Sequence, residues 1–206
     1  MSSISIIGLG NMARALADRA LAGGNAVEII GRDPVKAKEL AAELDGATVG
    51  MAGNGPTGDI VVLAVPYASA AAVVSEYGDA LRGKVIVDIT NPVAADMTGF
   101  VTPDGSSGAQ EIAKAVPAGA HVVKAFNTLF SNVLSDGRPV DVFIAGDDAQ
   151  AKARVSAFIE SLGLRPLDAG PLLMARALES AGLLEISLVN HSVGHTNFSL
   201  GVNALN

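Results

Sequence analysis

A glycine-rich turn between a short apolar run and a helical pattern constrains this chain more than any other feature. The helical pattern from Asn11 to Ala22 carries its apolar side chains on one stripe. The turn before it has the spacing Gly-x-Gly-x-x-Ala, the fingerprint of a loop that binds the pyrophosphate of a dinucleotide at a helix N-terminus. The predicted cofactor-binding residues of the turn are Gly8, Leu9, Gly10, Asn11, Met12 and Ala13.

Apolar runs and helical patterns alternate along nearly the whole sequence. Most of the runs are almost continuous in Val, Ile and Leu, as in parallel strands that are covered on both faces. The sequence therefore predicts a Rossmann-type α/β fold with a doubly wound, mainly parallel sheet. The predicted strands are Ser5–Gly8, Ala26–Ile30, Ile60–Val65, Val85–Ile89, His121–Ala125, Asp141–Ala145 and Leu164–Leu167. The predicted helices are Asn11–Ala22, one capped by Asp33 with Pro34 at its first position, Ala68–Leu81, Ser107–Val116 and Asp148–Leu162.

Composition excludes several classes of function. The 206 residues carry a formal net charge of −7 and no basic run, so we expect neither nucleic acid nor an anionic membrane surface as a partner. No cysteine is present, which excludes disulfides, thiolate nucleophiles and cysteine metal sites. The sequence lacks a signal-peptide pattern and an apolar stretch of membrane-spanning length, which favours a cytoplasmic protein.

An arginine follows the second predicted strand at a position where many dinucleotide sites have a carboxylate. Gly31 ends this strand and Arg32 comes next. A guanidinium pairs with the 2′-phosphate of NADP(H), which a carboxylate would repel. Lys36, one turn into the next helix, can add positive charge. Asp33 is an alternative ribose ligand, but Pro34 after it favours a role as helix cap.

Three of the predicted strands end in polar or proline-bearing segments. Ligands of open α/β sheets bind beyond the carboxyl ends of the strands, so we expect these segments to form the crevice in which a nicotinamide meets its acceptor. The amides of Asn91 and Asn127 can donate hydrogen bonds to a carboxamide or a ring carbonyl. The predicted crevice residues are Val65, Pro66, Tyr67, Asn91, Pro92, Lys124, Asn127 and Thr128, of which Lys124, Asn127 and Thr128 are the catalytic candidates.

The sequence contains no evident acid–base pair. Lys124 has two interpretations, as a proton donor or as a side chain that covers strand ends. His191 and His195 are four residues apart, but Gly194 lies between them and no third ligand is near, so no metal site is predicted. The long segment from Thr90 to Ser107 contains prolines and glycines and is predicted to be a functional loop.

The segment Pro171–Asn190 is predicted to be a helix with apolar side chains around most of its circumference. One sheet face cannot cover such a helix, and a second subunit is the simplest cover. We therefore predict one dinucleotide-binding domain, residues 1–206. In it, residues 171–206 form a C-terminal helical appendage that serves dimerisation and the acceptor site.

Taken together, these segments resemble the NADPH-dependent reductases of the deazaflavin coenzyme F420 over nearly the whole chain. They are also similar to the NADPH-binding domain of six-transmembrane metalloreductases. The segments that carry the resemblance are Gly8–Ala17, Gly31–Asp33, Ala64–Tyr67, Asp88–Pro92, Val122–Thr128 and Gly163–Ser180. The resemblance implies a homodimer and hydride exchange between NADP(H) and a small-molecule acceptor with a flavin-type ring, F420 or FMN/FAD.

Several functions stay open at this point. Asn127-Thr128 stands where archaeal deazaflavin reductases tend to have a His-Thr pair, and this form resembles the metalloreductases more. F420 reduction is the first hypothesis. The alternatives are an NADPH-dependent flavin or ferric reductase, a reductase of small imines or carbonyls, and a non-enzymatic NADPH-binding sensor.

Overall fold

The core of the molecule is a sheet whose strands are buried on both faces. The computed structural model of the chain describes residues 1–51 and 53–205. Within these residues the strands are β1 (Ser3–Ile7), β2 (Ala26–Ile30), β3 (Thr48–Val49), β4 (Ile60–Leu63), β5 (Val85–Asp88), β6 (His121–Lys124), β7 (Asp141–Gly146) and β8 (Arg165–Asp168). They form one sheet in the order β3-β2-β1-β4-β5-β6-β7-β8, in which only the β6–β7 pair is antiparallel.

Helices cover both faces of this sheet. They are α1 (Asn11–Ala22), α2 (Pro34–Glu43), α3 (Tyr67–Tyr77), α4 (Gly108–Ala113), α5 (Ser131–Ser135), α6 (Ala149–Ser161) and α7 (Ala175–Leu188) in the described part of the chain. Leu16 of α1 and Phe158 of α6 belong to the core on one face, and Val74 of α3 and Ile112 of α4 belong to the core on the other. The predicted Rossmann-type fold is confirmed. The chain reverses its direction of winding in the crossover from β3 to β4, so the switch point lies between the neighbouring strands β1 and β4, and a crevice is expected there.

Element boundaries follow the sequence closely where a hydrophobic period is long enough to read. The bounds of α1 and β2 are those predicted, and Asp33 caps α2 by accepting from the N–H groups of Val35 and Lys36. Two elements were missed: β3 has two residues and α5 has five, too few to display a period.

The C-terminal segment differs from the prediction. Instead of one helix over Pro171–Asn190, it forms a 3₁₀ turn at Leu172–Met174, α7, and a π turn at Val189–Val193. Within one chain its apolar side chains are not all covered, since Leu184 is 51% exposed, and cover by a second subunit stays a prediction. The covered positions of α7 include Ala175, Leu178, Glu179, Gly182 and Glu185.

Glu185 is the most unusual of these covered residues. It accepts a hydrogen bond from the Leu200 N–H, while its Oε1 has no partner among the described residues. Burial raises the pKa of the Glu185 carboxyl to about 8, so it is mostly protonated at neutral pH. No helix in the described ranges has the length and apolar character to cross a membrane.

Candidate cofactor and acceptor site

A cavity of about 670 Å³ opens at the carboxyl ends of β1, β2 and β4. Its volume is in the range of sites that hold a drug-sized ligand or a large part of a cofactor. The predicted site residues that line it are Gly8, Leu9, Gly10, Gly31, Arg32, Lys36, Val65 and Pro66. The sequence did not single out Glu76 and Tyr77, at the end of α3, which line it as well. They occupy helical positions without a motif, so no sequence signal marks them.

The turn after β1 requires glycine at its first position. Gly8 has φ +137°, and a Cβ there would lie 2.0 Å from the carbonyl oxygen of Ala64. Its N–H donates to the carbonyl oxygen of Ile30 at 2.9 Å. Gly8 therefore holds the end of β1 tightly between the two neighbouring strands, as the tight turn of a dinucleotide loop requires.

The N-terminus of α1 has the properties of a phosphate site. Gly10 is its N-cap and supplies no side-chain hydrogen bond to the first turn. A Cβ on Gly10 would meet no atom within 4 Å, so the space beside this backbone is open. Asn11 is exposed and Met12 half-buried, whereas Ala13 is fully buried in the core and packs the helix onto the sheet. Free N–H groups at the positive end of a helix fit a pyrophosphate.

The cations of the cavity lie beyond the end of β2. Arg32 is exposed, and the described residues supply its guanidinium with no hydrogen bond or ion pair. The Lys36 ammonium is 4.0 Å from the Asp33 carboxylate, and both side chains are largely exposed. The Asp33 carboxylate accepts hydrogen bonds from the first turn of α2 and so acts as a helix cap. The neighbouring Arg32 guanidinium is available to bind an anion.

The two crevice asparagines bind each other. The Asn127 Nδ2 donates to Asn91 Oδ1 at 2.9 Å and to the carbonyl oxygen of Leu178 at 2.8 Å, while Asn91 Nδ2 donates to the Asn127 carbonyl oxygen at 2.8 Å. Both donors of the Asn127 amide thus have partners within the protein, and donation to a ligand stays a prediction. Its Oδ1 is instead a buried acceptor without a partner in the described part of the chain. A buried acceptor of this kind fits a ligand N–H or a water.

The backbone before Asn127 is strained. Phe126 has φ +59°, although it is not glycine, and its ring is fully buried against Phe158. Such a conformation costs on the order of 1–3 kcal/mol and occurs often at functional sites. Thr128, the next predicted site residue, is buried behind Asn127.

Lys124 lies in a buried ionic cluster and does not line the cavity. Its side chain is fully buried, and its ammonium donates to Asp88 Oδ2 at 2.8 Å, to the Thr90 carbonyl oxygen at 2.5 Å and to Glu179 Oε1 at 2.9 Å. These three bonds use all of its donors. This placement favours the interpretation of Lys124 as a side chain that covers and joins strand ends. It does not favour a proton donor, because all three N–H groups of the ammonium are already hydrogen-bonded within the protein.

Glu179 joins this cluster to the crevice. Its carboxylate also accepts from the N–H groups of Gly108 and Ala109 at the start of α4. A Cβ on Gly108 would lie 3.0 Å from Tyr67 Cε2, 3.2 Å from Glu179 Oε1 and 3.2 Å from Pro92 Cγ. The predicted crevice residues Tyr67 and Pro92 thus converge with a carboxylate that the sequence did not reveal. The sequence signal for Glu179 is weak: it is an acidic residue within a largely apolar segment.

Three carboxylates act on the hydroxyl of Tyr67. The pKa of the Tyr67 hydroxyl is raised, first by burial and then by the charges of Glu111, Glu179 and Asp88. Close contact between α7 and the sheet is possible because Gly182 has no side chain: a Cβ there would lie 2.7 Å from Asn91 Oδ1.

The long loop after β5 is fastened to α7. The Arg176 Nη1 donates to the carbonyl oxygen of Ser106 at 2.5 Å, and the guanidinium lies 5.8 Å from the centroid of the Phe100 ring. Near the end of the helix, Asn190 Nδ2 contacts Met97 Sδ at 3.5 Å. The loop and α7 therefore form one wall, next to the Asn91–Asn127 pair.

The histidines near the C-terminus do not form a recognisable metal site. His191 lies in the π turn, and His195 Nδ1 accepts from the N–H of Asn197 at 3.2 Å. No group of three metal-ligating side chains occurs in residues 1–51 and 53–205. The absence of a metal requirement stays a prediction.

Known proteins are similar to this chain in sequence and in structure. Residues 3–92 match the family described as NADP oxidoreductase coenzyme F420-dependent. The F420-dependent NADP reductase of Methanothermobacter marburgensis is 31% identical over 199 residues, which cover 88% of this chain and 89% of that protein. A crystal structure from Arthrobacter sp. FB24, provisionally named an F420-dependent NADP reductase, has a TM-score of 0.88 at 27% identity and covers 99% of this chain and 100% of that one.

Two further relatives are longer than this chain. The metalloreductase STEAP3 of Rattus norvegicus is 32% identical over 184 residues, or 87% of this chain. The chain spans 36% of the length of that protein and 62% of the length of the F420-dependent NADP reductase of Methanocaldococcus jannaschii.

Proposed function

Because the chain belongs to the family of F420-dependent NADP reductases, we propose that it is an NADP(H)-dependent oxidoreductase whose hydride acceptor is a deazaflavin of the F420 type. One observation carries the cofactor part of this proposal. The same cavity contains the open N-terminus of α1 beside Gly10 and the exposed Arg32 beyond β2. These are the two anion sites that an NADP(H) molecule needs, one for its pyrophosphate and one for its 2′-phosphate.

The residues present fit this cofactor from end to end. The first turn of α1 binds the pyrophosphate through backbone N–H groups, and Arg32, with help from Lys36, pairs with the 2′-phosphate. The buried Oδ1 of Asn127, which has no partner among the described residues, would accept a hydrogen bond from the carboxamide of the nicotinamide. Tyr67 and Pro92 form the wall on which the ring rests. When bound, NADPH supplies the hydride that the reaction transfers.

The acceptor would lie on the open side of that ring, with the wall formed by the loop after β5 and α7 beside it. Hydride transfer carries two electrons and one proton to the acceptor ring, and the second proton comes from solvent. The protein contributes orientation and exclusion of water, since the two rings must be held about 3–3.5 Å apart. The buried state of Lys124 agrees with a reaction that needs no protein acid.

A flavin or ferric reductase is the second candidate. It is supported by the 32% identity to the rat metalloreductase over 184 residues and by the pair Asn127-Thr128. Imine or carbonyl reduction needs a proton donor at the crevice. A sensor would bind NADPH without turnover.

We also propose that two copies of the chain form a homodimer through α7 and the segments that flank it. The exposure of Leu173 in the 3₁₀ turn and of Leu184 in α7 supports this proposal, since both face solvent in one chain. The second copy would cover these leucines and close the acceptor side of the crevice.

The test is a parallel assay of NADPH oxidation. F420, FMN, FAD, a ferric chelate and a cyclic imine are supplied at equal concentration, with loss of NADPH and loss of oxidised F420 followed by absorbance. Turnover of F420 at least tenfold above the other acceptors is expected. Faster reduction of FMN, FAD or ferric ion would favour the second candidate. NADPH binding without any turnover would favour the sensor.

A further inference from the structure

Asp88, Lys124 and Glu179 form a buried ionic cluster beneath the crevice. We propose that this cluster makes the crevice bind the oxidised, cationic nicotinamide in preference to the reduced, neutral one; this inference rests on the proposed binding of NADP(H). Glu179 is the key positioning residue, because it belongs to the cluster and lies beside the crevice wall.

The cluster has an excess of negative charge. Two carboxylates face one ammonium, and the Asp88, Lys124 and Glu179 side chains are at most 1% exposed. With both carboxylates ionised, Lys124 neutralises one of them and the cluster carries one net negative charge. Water screens a buried charge much less than a surface charge, so its field extends into the adjacent crevice.

The Tyr67 hydroxyl is close enough to the cluster to respond to its carboxylates. Burial is the first cause that raises its pKa, and the negative charges of Glu111, Glu179 and Asp88 raise it further. Tyr67 starts α3 directly after Pro66, which lines the cavity, so the field reaches the crevice wall.

The backbone places the charge close to the nicotinamide end of the crevice. The Lys124 ammonium holds the Thr90 carbonyl, and Thr90 precedes Asn91, which binds Asn127. On the other side, the Glu179 carboxylate meets Tyr67 and Pro92 around Gly108. The charge therefore lies just beneath the residues that support the ring.

The two redox states of the cofactor differ by one positive charge on the nicotinamide ring. A negative charge nearby stabilises NADP⁺ relative to NADPH, and loss of the hydride creates the positive charge. For a unit charge about 10 Å away, at an effective dielectric constant of about 20 to 40, the preference is about 4- to 15-fold in binding. The cluster would thereby favour hydride donation from bound NADPH.

The experiment measures the dissociation constants of NADP⁺ and NADPH separately, by calorimetry, for the wild type and Glu179→Gln. We expect the ratio Kd(NADP⁺)/Kd(NADPH) to rise about 4- to 15-fold in the variant. A merely structural role would weaken both ligands equally and leave the ratio unchanged, since they share the adenosine and pyrophosphate contacts. Glu76→Gln is the matched control: it removes a carboxylate from the cavity wall nine residues along α3 from Tyr67, roughly 13 Å away.

A second variant keeps the test valid if Glu179→Gln does not fold. Asp88→Asn removes the other carboxylate of the same buried cluster, so a shift of the ratio in the same direction is expected. An unchanged ratio in every folded variant, with NADPH still bound, would overturn the inference and leave the proposed function standing. Failure of the wild type to bind NADP⁺ or NADPH would overturn both the inference and the proposed function.

Discussion

Reversing the charge at Arg32 gives the sharpest test of cofactor choice. Arg32 lines the cavity and makes no hydrogen bond or ion pair with any described residue, so its replacement removes little from the fold. A hydrogen bond to a charged group contributes about 1.5–3 kcal/mol, and the 2′-phosphate is absent from NADH. Arg32→Glu should therefore weaken NADPH binding by about 10- to 150-fold, while NADH binding changes less than about threefold.

The assay is titration of each cofactor by calorimetry or by quenching of nucleotide fluorescence, at low and at high salt. Added salt should narrow the difference between wild type and variant, because Arg32 is exposed. Lys38→Glu is the control, since Lys38 is an exposed residue of α2 that does not line the cavity. The assignment of the 2′-phosphate site would be refuted if Arg32→Glu lost equal affinity for NADPH and NADH. It would also be refuted if Lys38→Glu lost as much NADPH affinity as Arg32→Glu.

Three further predictions test the turn, the buried acid and the dimer. Gly8→Ala should lower the free energy of unfolding by about 2 kcal/mol or more, because of its positive φ and the clash with Ala64. Gly10→Ala should keep stability and lose NADPH affinity at least about tenfold, since its flank is open. The pKa of Glu185 rises from 4.5 to about 8 on folding. Between pH 4.5 and 8 the folded state therefore holds one more proton, on Glu185, than the unfolded state. The contribution of Glu185 to the free energy of unfolding should fall by on the order of 4 kcal/mol as the pH rises over this range. Denaturant unfolding of Glu185→Gln should not show this loss; an identical pH profile would contradict the prediction. Leu184→Asp should convert a wild-type dimer into a monomer in light scattering, and a monomeric wild type would exclude the interface.

The fold was readable from the sequence because its determinants are local. A run of β-branched residues, a helical stripe or an Asp-Pro cap reports on the structure within a few residues of itself. The turn from Gly8 to Ala13 and the placement of Arg32 after β2 were readable for the same reason. The cavity that contains them follows from the order of the strands.

The crevice was less readable because its contacts join distant segments. Asn127 was expected to donate to a ligand, but its donors bind Asn91 and a carbonyl of α7, and neither pairing leaves a trace in local sequence. Lys124 is likewise defined by carboxylates that lie 36 and 55 residues away along the chain. Only the assembled fold shows that its protons are already used.

Helix α7 packs against the protein through a partly polar face, which the apolar composition of the segment did not reveal. The face of α7 that packs against the protein contains Leu178, Glu179, Gly182 and Glu185. Two carboxyl groups are therefore buried on this helix, while the more hydrophobic Leu184 is exposed. The carboxylates can be buried because Glu179 meets Lys124 and because Glu185 is mostly protonated near neutral pH. Polar contacts therefore fasten α7 over the crevice, and Leu184 is left facing outward. Since the inward face already has its partners, the exposed Leu184 is available for the contact with a second copy of the chain that we propose.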